Sequence, residues 1–226
     1  MRTRTAILAV LFLHCATGCG ELPEPTSRGE TAITHGVPDA GDLGVVALVH
    51  GSAYRCSGTL VAPRVVLTAA HCLLPSPPDR VVVGQDPATG LAIQVLDYRA
   101  RSTFDRDTMF DDVALVFLAE AIDATPWPVV ETFDASLVGA PLRLVGFGKQ
   151  SANDTSPSTK HEGITAIEQI DARTFRFRDT PSQTCTGDSG GPAFITRDGV
   201  EYVAGVTSRG DPACADFGID TRADIQ

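Results

Sequence analysis

The chain has 226 residues and 43% apolar residues, enough for one large or two small domains with a buried core. Its formal net charge is −10, and its 18 lysines and arginines form no cluster, which argues against nucleic acid as the main partner. Protein and peptide substrates are left open.

In chain order, residues 1–19 read as an export signal. Arg2 and Arg4 precede a short apolar run from Ala6 to Leu13, then the small residues Ala16, Thr17 and Gly18. The run is too short to span a bilayer. Ala16-Thr17-Gly18-Cys19 is also similar to a bacterial lipoprotein signal, although Ala stands where Leu is usual. Plain secretion and lipidation of Cys19 both stay open, the second adding a membrane tether at the bacterial cell envelope. Residues 20–32, with Pro23, Pro25, Ser27 and Gly29 among charged residues, have the composition of a linker or propeptide.

From Ile33 onward short β-branched, apolar runs recur. They are Val45–Val49, Val65–Thr68, Arg80–Val83, Ala92–Leu96, Val113–Leu118, Leu142–Phe147, Thr174–Phe177, Ala193–Thr196 and Tyr202–Val206. Gly, Pro, Asp and Ser separate them, and no long 3.6-residue apolar repeat appears. This pattern predicts an all-β sandwich or barrel without major helices. Lys149–Lys160 reads as an exposed loop, and Asp123–Pro128 as the connection between two halves.

Of six cysteines, Cys15 and Cys19 lie in the signal region, leaving Cys56, Cys72, Cys185 and Cys214. An even number in an exported chain suggests disulfides, and four cysteines allow three connectivities. None forms a Cys-x-x-Cys pair, so zinc is not expected. His35, His50 and His161 lack partners at metal spacing and read as surface or structural.

Three segments carry chemistry: Leu67-Thr68-Ala69-Ala70-His71-Cys72, Asp111-Asp112-Val113-Ala114-Leu115 and Cys185-Thr186-Gly187-Asp188-Ser189-Gly190-Gly191-Pro192. Each alone has a bland reading as a structural His, a turn Asp or a tight glycine loop. Together they supply what amide hydrolysis needs. A serine hydroxyl requires a base, histidine can hold and return a proton near pH 7, and a carboxylate can orient the imidazole. Glycines flanking the serine let the backbone turn tightly enough to aim N–H donors at an oxyanion.

In this order, TAAHC, DVAL and GDSGGP resemble the chymotrypsin/trypsin-like serine proteases, over about Ile33 to Arg222. The resemblance implies two six-stranded antiparallel β-barrels, roughly 33–124 and 125–226, and a serine endopeptidase without cofactor or metal, expected to be a monomer. It implies Ser189 as nucleophile, His71 as base and then acid, and Asp112 as the orienting carboxylate, the roles these residue types play in chymotrypsin. Asp112 is preferred to Asp111 because it directly precedes Val-Ala-Leu. Gly187 and Ser189 would donate the oxyanion-hole N–H groups, and Ser208 would support the aspartate. Cys56 would pair with Cys72, and Cys185 with Cys214.

The same alignment places Gln183 on the floor of the primary substrate pocket beside Thr184, with Gly210 and Gly218 on its walls. A neutral Gln183 implies an uncharged residue before the scissile bond. Asp220, two residues beyond Gly218, would put a carboxylate behind the floor and is the exception to that expectation. Ile33 resembles a mature N-terminus freed by cleavage, its new ammonium pairing with Asp188. Departures are Arg209, where the family has an aromatic residue, and an end at Gln226, where a C-terminal helix is expected to be missing. The rival readings are a folded but inactive binding relative and an esterase on another scaffold. The Ser…Asp…His order and Gly-x-Ser-x-Gly elbow of α/β-hydrolases are absent.

Overall fold

The computed structural model describes residues 33–156, 158–178 and 181–225, so the export signal, Cys19 and the 20–32 linker lie outside the described residues. Within them, every predicted apolar run falls on a strand. Six strands close a first barrel: β2 (Val45–His50), β3 (Ala53–Ala62), β4 (Val65–Thr68), β5 (Arg80–Val83), β6 (Leu91–Ala100) and β7 (Ala114–Leu118). Six more close a second: β8 (Pro141–Gly146), β9 (His161–Ile170), β10 (Thr174–Arg178), β11 (Pro192–Arg197), β12 (Val200–Gly210) and β13 (Phe217–Arg222). All pairings between named strands are antiparallel, and no α-helix occurs among the described residues. Two short 3-10 turns, Ala70–Leu73 and Ala135–Leu137, are the helical content of the described residues.

The first strand, β1 (Val37–Pro38), pairs with β9 of the second barrel, so the N-terminal segment crosses over to the far half. Charge holds it there. Arg143 on β8 reaches Asp42 at 2.6 Å, Glu162 at 2.9 Å and Glu201 at 2.6 Å, with its guanidinium over the Phe194 ring. Lys160 is fully buried, pairs with Asp39 at 3.5 Å and donates to the Asp42 carbonyl. Burial lowers its ammonium pKa, opposed by Asp39 and Asp42.

Each barrel has its own apolar filling, because closing a sheet turns one face of every strand inward. β2 is buried on both faces, which explains its unbroken apolar run. Val45, Leu48, Leu60, Val66, Val81 and Val116 fill the first barrel, and Phe133, Leu142, Leu144, Phe175 and Phe177 fill the second. The connection between them is tied down by Trp127, whose N–H donates to the Leu60 carbonyl and whose ring packs on Phe194 at 5.0 Å.

Candidate active site

The three chemistry-bearing segments come together where the barrels meet. His71 lies in the 3-10 turn after β4, Asp112 in the loop before β7, and Ser189 in the turn before β11. His71 and Ser189 line one cavity of about 470 Å³, whose walls include Cys56, Cys72, Thr184, Cys185, Thr186, Gly187, Thr207, Arg209, Gly210 and Cys214.

Asp112 is fully buried and accepts three hydrogen bonds: from His71 Nδ1 at 2.7 Å, from the His71 N–H at 2.9 Å and from the Ser208 hydroxyl at 2.7 Å. An ionised carboxylate only accepts, so the proton of the first bond belongs to Nδ1, and in the neutral imidazole Nε2 carries the lone pair. That nitrogen is free to take a proton from a hydroxyl in the cavity. The neighbouring Asp111 is also buried but turns elsewhere, to Arg173 at 2.9 Å and Arg101 at 3.3 Å.

The Ser189 turn is packed against the first barrel. The Ser57 N–H donates to the Ser189 carbonyl at 2.8 Å, and the Gly190 N–H to the Thr207 carbonyl at 2.7 Å. Gly190 has φ +81°, and a Cβ there would meet Thr68 Oγ1 at 2.1 Å and the Ser57 carbonyl at 2.4 Å. Only glycine fits that approach. Gly187 likewise has φ +103° against Gly148 and Tyr54.

Cys56 is bonded to Cys72, and Cys185 to Cys214. The sulfurs of Cys56 and Cys72 cluster with His71 at spacing that would suit a metal, but as a disulfide they offer no thiolate.

Asp188 is buried and accepts from the Gly148 N–H at 2.7 Å and the Cys185 N–H at 2.9 Å. Burial nevertheless pushes its pKa up to about 7, against the lowering effect of those two bonds. Ile33 is fully buried with φ +50°, packed near Gly163.

The substrate pocket differs from expectation. Thr184, Thr207 and Gly210 line the cavity, with Ser208 buried beside them, but Gln183, Gly218 and Asp220 are not on its wall. The Phe177 ring occupies the space beside Gly218, where a Cβ would meet it at 2.4 Å and Thr184 Oγ1 at 3.0 Å. Gln183 and Asp220 are fully buried, and neither side chain has a hydrogen-bond partner. Burial drives the Asp220 carboxyl well above the carboxylate range. The neighbouring Thr207 hydroxyl pulls the other way but lies outside bonding geometry. Arg209 lines the cavity and reaches the Thr108 and Met109 carbonyls at 3.5 Å. The sequence reading overlooked Tyr54 and Ser57, which contact the Gly187 carbonyl. Their only sequence signal is proximity to Cys56.

The family profile described as Trypsin matches residues 35–224. The chain belongs to the trypsin family. Among similar proteins, brachyurin of Leptuca pugilator is 29% identical over 198 residues, covering 76% of this chain and 83% of the relative. Chymotrypsin-C of Bos taurus is 28% identical, covering 80% and 78%. The solved structure of neuropsin, a serine protease expressed in the limbic system of mouse brain, superposes with a TM-score of 0.74. At 23% identity, covering 85% of this chain and 95% of neuropsin, it supports the fold. These relatives are animal proteins, and nothing in the comparisons supports a bacterial origin or a lipid anchor. As a trypsin-family member the chain is a serine-type endopeptidase acting on protein or peptide substrates. The two disulfides among the described residues suit an oxidising, extracellular compartment.

Proposed function

We propose that this chain is an exported endopeptidase that cleaves peptide bonds through an acyl-enzyme on Ser189. His71 takes the Ser189 proton and returns it to the leaving amine, and Asp112 holds the imidazole and stabilises its cation. The Gly187 and Ser189 N–H groups receive the oxyanion, each such donor being worth about 3 kcal/mol of barrier. The observation that carries this reading is the buried Asp112, which holds His71 by two bonds while His71 shares a cavity with Ser189. The test is labelling with a fluorophosphonate, which should modify Ser189 in the parent and nothing in Ser189→Ala. That variant should lose turnover by about a millionfold. Unchanged hydrolysis by Ser189→Ala would refute the mechanism.

The residue before the scissile bond is uncharged in this reading, because neither Thr184 nor the buried Gln183 supplies a charge. A second reading rests on Asp220. Its two unpartnered oxygens would be satisfied by a basic side chain reaching past Thr207. A peptide-library profile decides between them. Dominance of Arg and Lys favours Asp220.

Activation belongs to the same proposal. Cutting after Ala32 frees the Ile33 ammonium to pair with Asp188. A β-branched residue at φ +50° is strained by about 1–3 kcal/mol, and cleavage before Ile33 would free that torsion. Residues 1–19 would direct export and residues 20–32 would be removed. Lipid on Cys19 is the alternative to plain secretion.

A further inference from the structure

The Gly187 carbonyl is held from the opposite barrel. Tyr54 on β3 donates its hydroxyl to that carbonyl, and Ser57 Oγ lies 3.2 Å from it and 3.2 Å from the Tyr54 hydroxyl. Ser57 Oγ also accepts the Phe147 N–H at 3.1 Å. The Ser57 proton then has two acceptors at 3.2 Å, the Gly187 carbonyl and the Tyr54 oxygen. Two hydroxyl oxygens thus lie within bonding reach of one carbonyl, Tyr54 donating to it directly. The Tyr54 ring backs the same residue, since a Cβ on Gly187 would meet its Cε1 at 3.1 Å.

Gly187 needs such a clamp. At φ +103° it has no side chain to restrict its rotation, and its N–H must face the reacting carbonyl. Asp188 fixes the C-terminal side of the turn through Gly148 and Cys185. Tyr54 and Ser57 fix the peptide between Gly187 and Asp188. The Lys149 N–H holds the preceding peptide, which carries the Gly187 N–H, by the Thr186 carbonyl at 2.8 Å, so that the two anchors together set the Gly187 torsions. Ser57 further ties its own N–H to the Ser189 carbonyl at 2.8 Å, so one short stretch of β3 grips both ends of the oxyanion turn.

We propose that Tyr54, seconded by Ser57, is a positioning residue for the oxyanion hole, aiming the Gly187 N–H by holding the Gly187 carbonyl. The inference rests on the oxyanion role given to Gly187 above. Burial, and after it the Asp188 carboxylate, push the Tyr54 phenol well above its usual pKa, so the donor keeps its proton throughout the working pH range. A donor that never titrates should leave the shape of the pH profile alone.

The test compares the full chain, processed identically, as parent, Tyr54→Phe and Ser57→Ala. Fluorophosphonate labelling at Ser189 first establishes the acyl-enzyme reading in the parent. Absence of label there sinks that reading and this inference with it. Given labelling, Tyr54→Phe should lower kcat about tenfold with KM unchanged. It should weaken a peptide boronate, which mimics the tetrahedral intermediate, by a similar factor. Affinity for a product-like peptide acid and the pH profile should not move. Ser57→Ala should show a smaller effect of the same kind, and serves if Tyr54→Phe does not fold. Parental kcat and boronate affinity in the folded variants would overturn the inference while leaving the acyl-enzyme intact. So would an equal loss of boronate and product-like affinity, which would mean general loosening of the site.

Discussion

Thr34 and Gln183 are joined in both directions: the Thr34 N–H donates to the Gln183 carbonyl at 2.9 Å, and the Gln183 N–H donates to the Thr34 hydroxyl at 2.9 Å. The segment next to the proposed cleavage point is thus stitched to the irregular segment leading into Cys185 and the nucleophile turn. Comparing the form starting at residue 20, the form starting at Ile33, and the latter with Asp188→Asn should show efficient hydrolysis in the second alone. Equal activity in the first two removes the ion-pair switch.

The same switch predicts a pH dependence of stability. In the uncleaved chain Asp188 titrates near 7, against 3.8 for a free side chain. Between those values the folded state holds a proton that the unfolded state has lost. Its stability therefore falls as pH rises from about 4 to about 7. An Ile33 ammonium beside Asp188 would favour the charged form and cancel that loss. Melting temperatures of the two forms should diverge from about pH 4 to about pH 7 and hold a constant gap above it, with the cleaved form higher. A gap that does not change between about pH 4 and about pH 7 would contradict the pairing.

Asp111 and Asp112 are adjacent and both buried, yet their substitutions should fail differently. Asp112→Asn should keep the fold and lower kcat about 10⁴-fold, because an Asn at this place favours the wrong imidazole tautomer. Asp111→Asn should weaken the ties to Arg173 and Arg101 and cost about 2 kcal/mol of stability. Its effect on kcat should be far smaller. Chemical denaturation and steady-state kinetics on both variants separate the two roles.

Ser208→Ala removes one of the three donors to the buried Asp112. The cost of an unmet hydrogen bond to a charged group, about 1–3 kcal/mol, predicts a tenfold to hundredfold drop in kcat/KM. A parental value would show that the two bonds from His71 suffice.

Gly218→Ala would drive a methyl into Phe177 and against Thr184. Overpacking of this kind costs about 1–3 kcal/mol. Because Thr184 lines the cavity, KM should rise as the melting temperature falls. A fall in melting temperature alone would mean that Phe177 yields without disturbing the pocket.

Much of the fold was legible because most strands carry β-branched apolar runs bounded by turn residues. The strands that escaped explain why the rest was not. In β9, Gly163 and Thr165 face inward while Ile164 is half exposed, so its alternation is inverted. In β3, the polar stretch Tyr54-Arg55-Cys56-Ser57 pairs with β2 under the cleft and shows no apolar period. A strand whose inward face is chosen by a neighbouring loop need not look amphipathic.

The sequence alone determined the family, the order of the barrels and the identity of the triad candidates, because hydrolysis demands particular side chains in turns of particular tightness. Tertiary structure decided everything that depends on which buried groups find partners. Asp112 turned to His71 while Asp111 turned to two arginines, and Phe177 took the space beside Gly218. Tyr54 reached across the barrel junction to a carbonyl 133 residues away in the chain. Such choices are made by contacts between distant segments, and burial raises the cost of each unmet hydrogen bond, so local sequence pattern carries no record of them.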